Sequence, residues 1–398
     1  MKAAAPTLAE FRATVRDWCR DHVPPDWRRA QTGVPDDEFV RFQKEWFRTL
    51  RGPGFAVPHW PKEWGGGMPV AQQVVLYQEL AAHDAPRLVL PFVSIHHAAS
   101  TLLAAGTDAQ RERHLPAILD GEIWCQGFSE PGAGSDMAAL TTSARKDGDT
   151  YVVNGQKLWA SGAMHADRCL LLARTDPGAP QRRGISYFLM DMRTPGIEVR
   201  PIRQATGESH FCEIFLDDVI LPATDLVGPE NEGWRVAQET LGAERGMTML
   251  ELAERLGNGG FRWLVELCAR PGPLGTTPLD DPLVADRLAQ FEIELTGLRA
   301  LCAEFVADDR PGPADASIVK LYYSELLQRM TDFGTEIAGL SAHTQLRKPS
   351  SSGWESGAWV LDFIGSWEWT IPGGTSEIQR TIIGERGLGL PYEPRGNR

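Results

Sequence analysis

A short segment rich in small residues, SEPGAGSD, runs from Ser129 to Asp136. Its two glycines, the alanine between them and the proline would let the backbone pass close to a ligand. The segment lacks the Lys-Ser/Thr pair of a phosphate-binding P-loop and the G-x-G-x-x-G pattern of a dinucleotide-binding fold. Taken alone, it is more typical of a tight surface turn than of a binding site.

Two further motifs contain side chains that could contact a ligand. In VNGQKLWASG, the Asn-Gly pair at 154–155 predicts a hairpin turn, with Trp159 and Ser161 on one side of the next strand. In IPGGTSEIQR, Thr375 or Ser376 could cap the last helix, whose free N–H groups would favour an anion. Considered separately, a core tryptophan and an ordinary helix cap are the simpler interpretations.

The hydrophobic pattern divides the chain into helices, then strands, then helices. Short β-branched and aromatic runs separated by turn residues predict a small β-barrel or sandwich in the middle. We therefore expect three domains, 1–122, 123–230 and 231–398. Apolar residues at helical spacing predict helices over 70–82, 88–103, 234–267, 282–307 and 314–340.

The composition excludes several classes of protein. Asp and Glu total 53 against 40 Lys and Arg, and this net charge of -13 argues against nucleic-acid binding. The longest apolar stretch, 88–95, is far shorter than the ~20 residues of a membrane span. Six cysteines without a C-x-x-C pair predict reduced thiols in a cytoplasmic protein, with no metal site. The N-terminus lacks the apolar core of a signal peptide and predicts a mature first helix.

Together, in this order and spacing, the three motifs resemble those of the acyl-CoA dehydrogenase family, and the resemblance extends over essentially the whole chain. The segments GTDAQRERHLPAILDGE and FLDDVILPATDLVG resemble further parts of that family. The resemblance implies a helical N-terminal domain, a middle β-barrel domain and a C-terminal four-helix bundle, with FAD between barrel and bundle. It also implies that an acyl-CoA thioester is converted to the 2-enoyl-CoA and that electrons pass to an electron-transfer flavoprotein.

The resemblance gives individual residues expected roles at the cofactor and the substrate. The positions that match FAD contacts of the family are Gln126, Phe128, Ser129, Trp159, Ser161, Thr375 and Glu377. Ser135 is expected to lie toward the phosphopantetheine arm of the substrate or toward the cofactor. Aromatic walls of this kind exclude water from a redox ring, and a few polar donors adjust its electronic properties.

The resemblance also indicates which carboxylate removes the α-proton of the substrate. Many members carry this base immediately before the Gly-Thr of the third motif, where this chain has Gly373. Another branch, which includes isovaleryl- and long-chain-specific enzymes, carries it in a Glu-Arg pair that matches Glu244 and Arg245. Gly373 would leave room for Glu244, and its N–H would stabilise the thioester oxygen together with a ribityl hydroxyl of FAD. Arg245 is expected at the substrate; Glu368 and Glu239 are alternatives for the base.

Two segments depart from the family pattern. The family's R-x-x-F-G, whose arginine reaches the FAD of a neighbouring subunit, is replaced by CARPGPLGTTPLDDP, where Arg270 could substitute. The Q-x-x-G-G-x-G near the adenine is replaced by TEIAGLSAHTQL, where only Gly339 is comparable. Members with such changes, several in actinobacterial lipid and steroid catabolism, often form heterotetramers with one incomplete site. We expect self-association or a paralogous subunit; a non-catalytic subunit and an acyl-CoA oxidase remain alternatives.

Overall fold

The computed structural model describes residues 6–242, 247–272, 275–307 and 312–392. Its elements follow the predicted order of helices, strands and helices. Among the helices in these ranges, none has the length and apolar character needed to cross a membrane. All six cysteines are buried and unbridged.

Residues 6–122 contain six α-helices. They are α1 (Leu8–His22), α2 (Trp27–Ala30), α3 (Asp36–Arg51), α4 (Val70–Ala82), α5 (Ala99–Ala105) and α6 (Asp108–Leu119). A π-helical segment, Val93–Ala98, leads directly into α5. Helix α1 begins at a capping box in which the Thr7 hydroxyl accepts from the Glu10 N–H. The same device, with Thr107 and Gln110, starts α6.

The middle part is one eight-stranded sheet. Its strands are β1 (Trp124–Gly127), β2 (Ser143–Asp147), β3 (Thr150–Ser161), β4 (Arg168–Arg174), β5 (Ile185–Asp191), β6 (Ile197–Ile202), β7 (Phe211–Pro222) and β8 (Leu226–Val227). The strand order is β6-β7-β3-β2-β4-β5-β8, and β1 pairs in parallel with β4. This pairing places the end of β1 beside the middle strands of the sheet.

The predicted hairpin turn at 154–155 is wrong, because these residues lie inside β3. The turn comes earlier, between Asp147 and Thr150, where Gly148 has a φ of +58°. Asn154 is held in the sheet by two side-chain bonds of 2.9 Å with Asp218 on β7, one in each direction. The Asn-Gly pair therefore forms an irregularity in a long strand instead of ending it.

The sheet has two buried faces. Leu170 and Leu189 on one face share a core with the N-terminal helices, including Leu102. Their neighbours in the two strands, Leu171 after Leu170 and Phe188 before Leu189, belong to a second core on the opposite face. This alternation explains why β4 and β5 are almost wholly apolar and why the sheet is fixed against the N-terminal helices.

The C-terminal part contains seven α-helices in the described ranges. They are α7 (Gly233–Gly242), α8 (Met247–Arg255), α9 (Arg262–Cys268), α10 (Pro282–Ala307), α11 (Asp315–Ala338), α12 (Trp359–Ser366) and α13 (Ser376–Ile382). A π-helical segment, Leu256–Phe261, joins α8 to α9, and another, Ile383–Gly387, follows α13. Helices α8, α10 and α11 share a core that includes Leu256, Phe291 and Tyr323. Prediction and structure agree over 70–82 and 282–307, whereas α12 was not predicted.

Candidate active site

The end of β1 lies unusually close to its neighbouring strands because it is a glycine. A Cβ atom added to Gly127 would lie 2.9 Å from Sγ of Cys169 on β4 and 3.5 Å from Cγ of Lys157 on β3. The first of these distances is too short for a side chain. Gly127 therefore lets the chain leave the sheet between β3 and β4, immediately before Phe128.

The glycine-rich segment that follows is a closed turn. The backbone groups of Glu130 and Ala133 donate to each other at 3.0 Å in both directions. The Glu130 carboxylate accepts from the N–H groups of Thr141 and Thr142, at 2.7 and 2.9 Å. These bonds anchor the turn to the start of β2. Ser135 lies exposed on the outside of the turn.

A buried ion pair connects the turn to β3. Nζ of Lys157 donates to Glu130 at 2.8 Å and to the carbonyl of Phe128 at 3.2 Å. The Lys157 side chain is wholly buried. Burial alone would raise the pKa of Glu130, but the Lys157 charge and the threonine bonds outweigh it and lower that pKa to about 2. The sequence analysis missed this pair, although the two motifs contain two acidic residues, Glu130 and Asp136, and one basic residue, Lys157.

The second motif presents an exposed tryptophan next to the turn. The Leu158 N–H donates to the Ser129 carbonyl at 2.9 Å. This bond places the start of the first motif next to the end of β3. Trp159 follows with a φ of +61° and 54% of its surface exposed. Ser161 is exposed on the same side, as predicted, while Ala160 between them is buried. A non-glycine residue in this strained conformation is typical of a functional site.

The predicted residues Gln126 and Phe128 lie just before the first motif, at and directly after the end of β1. Nε2 of Gln126 is buried and has no hydrogen-bond partner among the described residues. The ring of Phe128 meets Tyr187 edge to face at 5.7 Å. The Tyr187 hydroxyl lies 3.1 Å from that of Thr240 on α7, which lies 2.7 Å from that of Thr101 on α5. This buried group of hydroxyls connects the first motif to α7.

The chain at the end of α7 contains the expected base. Glu244 and Arg245 lie outside the described residues, and the described part of α7 extends to Gly242. The alternative base Glu239 is exposed on α7, whereas Thr240 beside it is buried. The buried face of α7 is thus the one that faces Tyr187.

The third motif is a loop of positive φ angles before α13. Gly373 and Gly374 have φ values of +64° and +92°, which favour glycine. Their carbonyls accept from Nε2 of Gln379, at 2.6 and 3.2 Å. Of the two predicted caps, Thr375 is the one whose hydroxyl accepts from a helix N–H, at 3.2 Å. The exposed Glu377 has a lowered pKa, because its own N–H and the Thr375 hydroxyl favour the carboxylate.

Two predicted cofactor residues are separate from these motifs. Arg270 is exposed just after α9, and Gly339 is exposed at the end of α11, with a φ of +53°. Within the described ranges, neither residue forms a hydrogen bond or ion pair with the three motifs. The chain alone therefore brings together the residues of the first two motifs but not these two.

The other alternative base, Glu368, is held among polar groups. Its carboxylate accepts from Nε1 of Trp354 at 2.8 Å. Burial raises the pKa of Glu368, although the Trp354 bond and the charges of His210, Lys348 and Arg87 act in the opposite direction. Its proton affinity suits a base, but the Trp354 bond occupies one of its oxygens.

Profiles of one enzyme family match the chain in three successive parts. The acyl-CoA dehydrogenase N-terminal domain matches residues 5–122, the middle domain 125–219 and the C-terminal domain 231–388. The chain belongs to the acyl-CoA dehydrogenase family. It is an FAD-dependent oxidoreductase, as the resemblance of its motifs predicted, and its fold of a helical, a sheet and a second helical domain is confirmed.

Relatives of this acyl-CoA dehydrogenase extend over its full length. Acyl-CoA dehydrogenase IpdE1 of Mycobacterium tuberculosis is 39% identical, over 98% of this chain and 99% of that protein. A solved structure named Tcur3481-Tcur3483 steroid ACAD has a TM-score of 0.82 at 30% identity, covering 99% and 100% of the two chains. The ChsE4-ChsE5 complex from Mycobacterium tuberculosis gives 0.79 at 29% identity, with the same coverage.

Two observations fit the FAD of this acyl-CoA dehydrogenase. Trp159 offers an exposed indole on a strained strand, which a stacked aromatic ring would cover. Nε2 of Gln126 is a buried donor that lacks a partner in the described part of the chain. Buried donors without partners are rare, and a bound group is one way to satisfy them. The residues present therefore fit the cofactor of the family.

Proposed function

We propose that this acyl-CoA dehydrogenase removes the α-proton and the β-hydrogen of an acyl-CoA thioester, forms the 2-enoyl-CoA, and passes the electrons to an electron-transfer flavoprotein. The observation that carries the proposal is the pairing of the first two motifs. Trp159 is exposed and strained, and Leu158, the residue before it, donates a hydrogen bond to Ser129. A single segment of this kind is ambiguous, whereas two adjacent ones form a surface for a flat ring.

In this proposal, Gln126, Phe128 and Ser129 bind one side of the isoalloxazine ring, and Trp159 and Ser161 bind the other. The buried Phe128 and the indole of Trp159 would exclude water from the two faces of the ring. The FAD contacts of Thr375 and Glu377 would come from the N-cap and the first turn of α13. FAD, when bound, supplies the acceptor for the hydrogen that leaves the β-carbon.

Glu244 is the proposed base. The alternative Glu239 is exposed, and Glu368 already accepts a bond from Trp354. The buried hydroxyls of Thr240, Tyr187 and Thr101 fix α7 against the first motif, and Glu244 follows that helix. Arg245, its neighbour, and Ser135, on the exposed side of the glycine-rich turn, would contact the substrate.

Gly373 has the proposed role of stabilising the thioester oxygen. Its carbonyl accepts from Gln379, which fixes the orientation of the peptide. Its N–H donates to none of the described residues, and in this proposal it donates to the thioester oxygen. A donor of this kind, oriented before the reaction, stabilises charge that develops on the oxygen.

A second candidate is a subunit that completes the site of a paralogous partner. Arg270 and Gly339 are both exposed, and within the described residues neither bonds to the motifs. Near Gly339, Leu340 and Leu346 expose 88% and 77% of their surfaces, which favours a covering subunit. The structures named Tcur3481-Tcur3483 and ChsE4-ChsE5 are pairs of different chains, which supports a heteromeric assembly here.

The test is to purify the chain alone and with candidate paralogues, measure FAD per chain, and add acyl-CoA thioesters without oxygen. The panel contains straight, branched, aromatic and steroid-side-chain acyl groups, because one similar structure is named a steroid enzyme. Bleaching of the flavin and a 2-enoyl-CoA product are expected, with faster reoxidation by an electron-transfer flavoprotein than by oxygen. Rapid reoxidation by oxygen would identify an oxidase. If the flavin bleaches only when a paralogue is present, and the base and FAD contacts of that paralogue account for the reaction, this chain is the non-catalytic subunit.

A further inference from the structure

We propose that the buried pair of Lys157 and Glu130 is a positioning device, which holds the segments 126–129 and 159–161 at the spacing that FAD requires. Neither residue was among the expected cofactor contacts. The proposal rests on the proposed function, because it concerns the two segments assigned to the flavin. The two residues are positioning residues, since they act through the segments that contact the cofactor.

The geometry connects the two segments at three points. Lys157 donates to the Phe128 carbonyl at 3.2 Å and to Glu130 at 2.8 Å. Leu158, the next residue, donates to the Ser129 carbonyl at 2.9 Å. Each bond joins Lys157 or Leu158, which directly precede the segment 159–161, to a residue in or next to the segment 126–129. The distance between the motifs is therefore fixed by charged and backbone groups.

The burial of both side chains makes the two charges costly unless they remain paired. The Lys157 side chain is wholly buried and that of Glu130 is 5% exposed, so each charge depends on the other. Glu130 is itself fixed by bonds from Thr141 and Thr142. A buried ion pair often adds little stability compared with apolar residues of similar volume. The contribution of this pair therefore lies in the geometry that it imposes.

The backbone of Trp159 is the feature that needs this support. A strained residue persists only where its surroundings determine its conformation from several sides. Lys157 lies two residues before Trp159, and Ala160, immediately after it, is buried and paired with Cys212 on β7. The ion pair fixes one side of the strained residue, and the ladder with β7 fixes the other.

The test uses the FAD-loaded protein and three variants. Lys157→Met removes the charge and the bond to Phe128 but keeps the length of the side chain. Lys157→Met/Glu130→Gln removes both charges. Arg168→Met is the matched control, because Arg168 is also a buried cation of the sheet and pairs with Glu122 at 3.3 Å. FAD release on dilution is followed by fluorescence, the flavin environment by visible circular dichroism, and stability by urea unfolding at saturating FAD.

We expect Lys157→Met to lose stability and to release FAD about tenfold faster or more, as when residues that orient metal ligands are removed. In the double variant, stability should return toward that of the wild type, because no buried charge is left unpaired. FAD release should stay fast and the visible dichroism altered, because the bond to Phe128 is still missing. Arg168→Met should lose stability with wild-type FAD release.

The proposal is overturned if the rate of FAD release depends only on the unfolding free energy of each variant. In that case the double variant, with its stability restored, would also release FAD at the wild-type rate. The proposal is also overturned if Lys157→Met keeps the wild-type release rate and dichroism. If Lys157→Met does not fold, the double variant alone decides between these results. Failure of the proposed function would look different, since the wild type would then bind FAD without reduction by any acyl-CoA.

Discussion

The indole of Trp159 meets the ring of Phe211 edge to face, with 5.9 Å between the centroids and 89° between the planes. This contact leaves one face of the indole open, so that 54% of Trp159 is exposed. Its φ of +61° costs a residue with a side chain of the order of 1 to 3 kcal/mol. An exposed aromatic ring on a strained backbone is explained by a flat ligand that covers it.

Replacing Trp159 should therefore separate FAD binding from stability. Trp159→Ala and Trp159→Gly both remove the indole, and each should weaken FAD binding about tenfold or more, since stacking on an aromatic ring is worth about 1 to 3 kcal/mol. Only Trp159→Gly relieves the strain, so its thermal midpoint at saturating FAD should exceed that of Trp159→Ala. Equilibrium titration with FAD gives the affinities. Wild-type affinity in both variants would remove Trp159 from the cofactor site.

Gly127 gives a second prediction, on packing beside the first motif. Gly127→Ala places a Cβ 2.9 Å from Sγ of Cys169, and overpacking of this kind costs about 1 to 3 kcal/mol. Cys169→Ala in the same chain removes the sulfur and should recover most of the loss in urea unfolding. Gly132→Ala, where the new Cβ meets no atom within 4 Å, is the control. Equal loss in the single and the double variant would show that the sulfur is not the obstacle.

The sequence predicted the long elements well and the local irregularities poorly. Helix α10 starts at Pro282 as expected, because proline fits the first turn of a helix and the apolar spacing continues from there. The Asn-Gly pair at 154–155 fails as a turn signal because Asp218, far along the chain, binds Asn154 in the sheet. A partner so distant in sequence leaves no signal in a local pattern.

The candidate site was likewise predicted in part. Trp159 and Ser161 are both exposed on either side of the buried Ala160, although the positive φ of Trp159 and a shift in the pairing with β7 interrupt the regular alternation there. The ion pair of Lys157 with Glu130 was missed, because it depends on how β1 and the turn pack against β3. The cofactor roles of Arg270 and Gly339 stay predictions, since both lie apart from the motifs in a single chain.

Stability at mildly acidic pH is a third prediction, which rests on two stacked histidines. The rings of His59 and His96 lie 4.7 Å apart at 8°. Burial lowers the pKa of His59, and burial with the nearby charges of His59 and His97 lowers that of His96 far more. At these two positions the unfolded chain binds protons that the native chain does not, so the stability that the two histidines contribute is complete above about pH 6.5 and falls below it.

The slope should be about 1.4 kcal/mol per pH unit for each histidine that stays neutral in the native chain. His96→Gln should reduce the loss of unfolding free energy between pH 7 and pH 5, whereas His343→Gln, at an exposed position, should leave it unchanged. Urea unfolding at several pH values measures both. A wild-type slope in His96→Gln would mean that His96 is protonated in the native protein.

Assembly is the subject of a fourth prediction. The last described segment exposes Leu388, Leu390 and Tyr392 by 71%, 55% and 72%, which favours contact with another subunit. We expect light scattering to give a mass greater than that of one chain, alone or with a paralogue. Leu388→Asp/Leu390→Asp should lower that mass if this segment lies in the interface. A single chain with full FAD occupancy would contradict the prediction.

The most direct measurement is stopped-flow reduction of the flavin in Glu244→Gln by an acyl-CoA that reduces the wild type. Glutamine keeps the size and the hydrogen bonding of the side chain but cannot accept the α-proton. Reduction should slow by about 10⁴-fold or more, the upper end for a general base, while FAD and acyl-CoA still bind. Glu239→Gln, on the exposed face of α7, should reduce at the wild-type rate. Reduction of Glu244→Gln at nearly the wild-type rate would contradict this account and leave Glu368 or a partner's residue as the base.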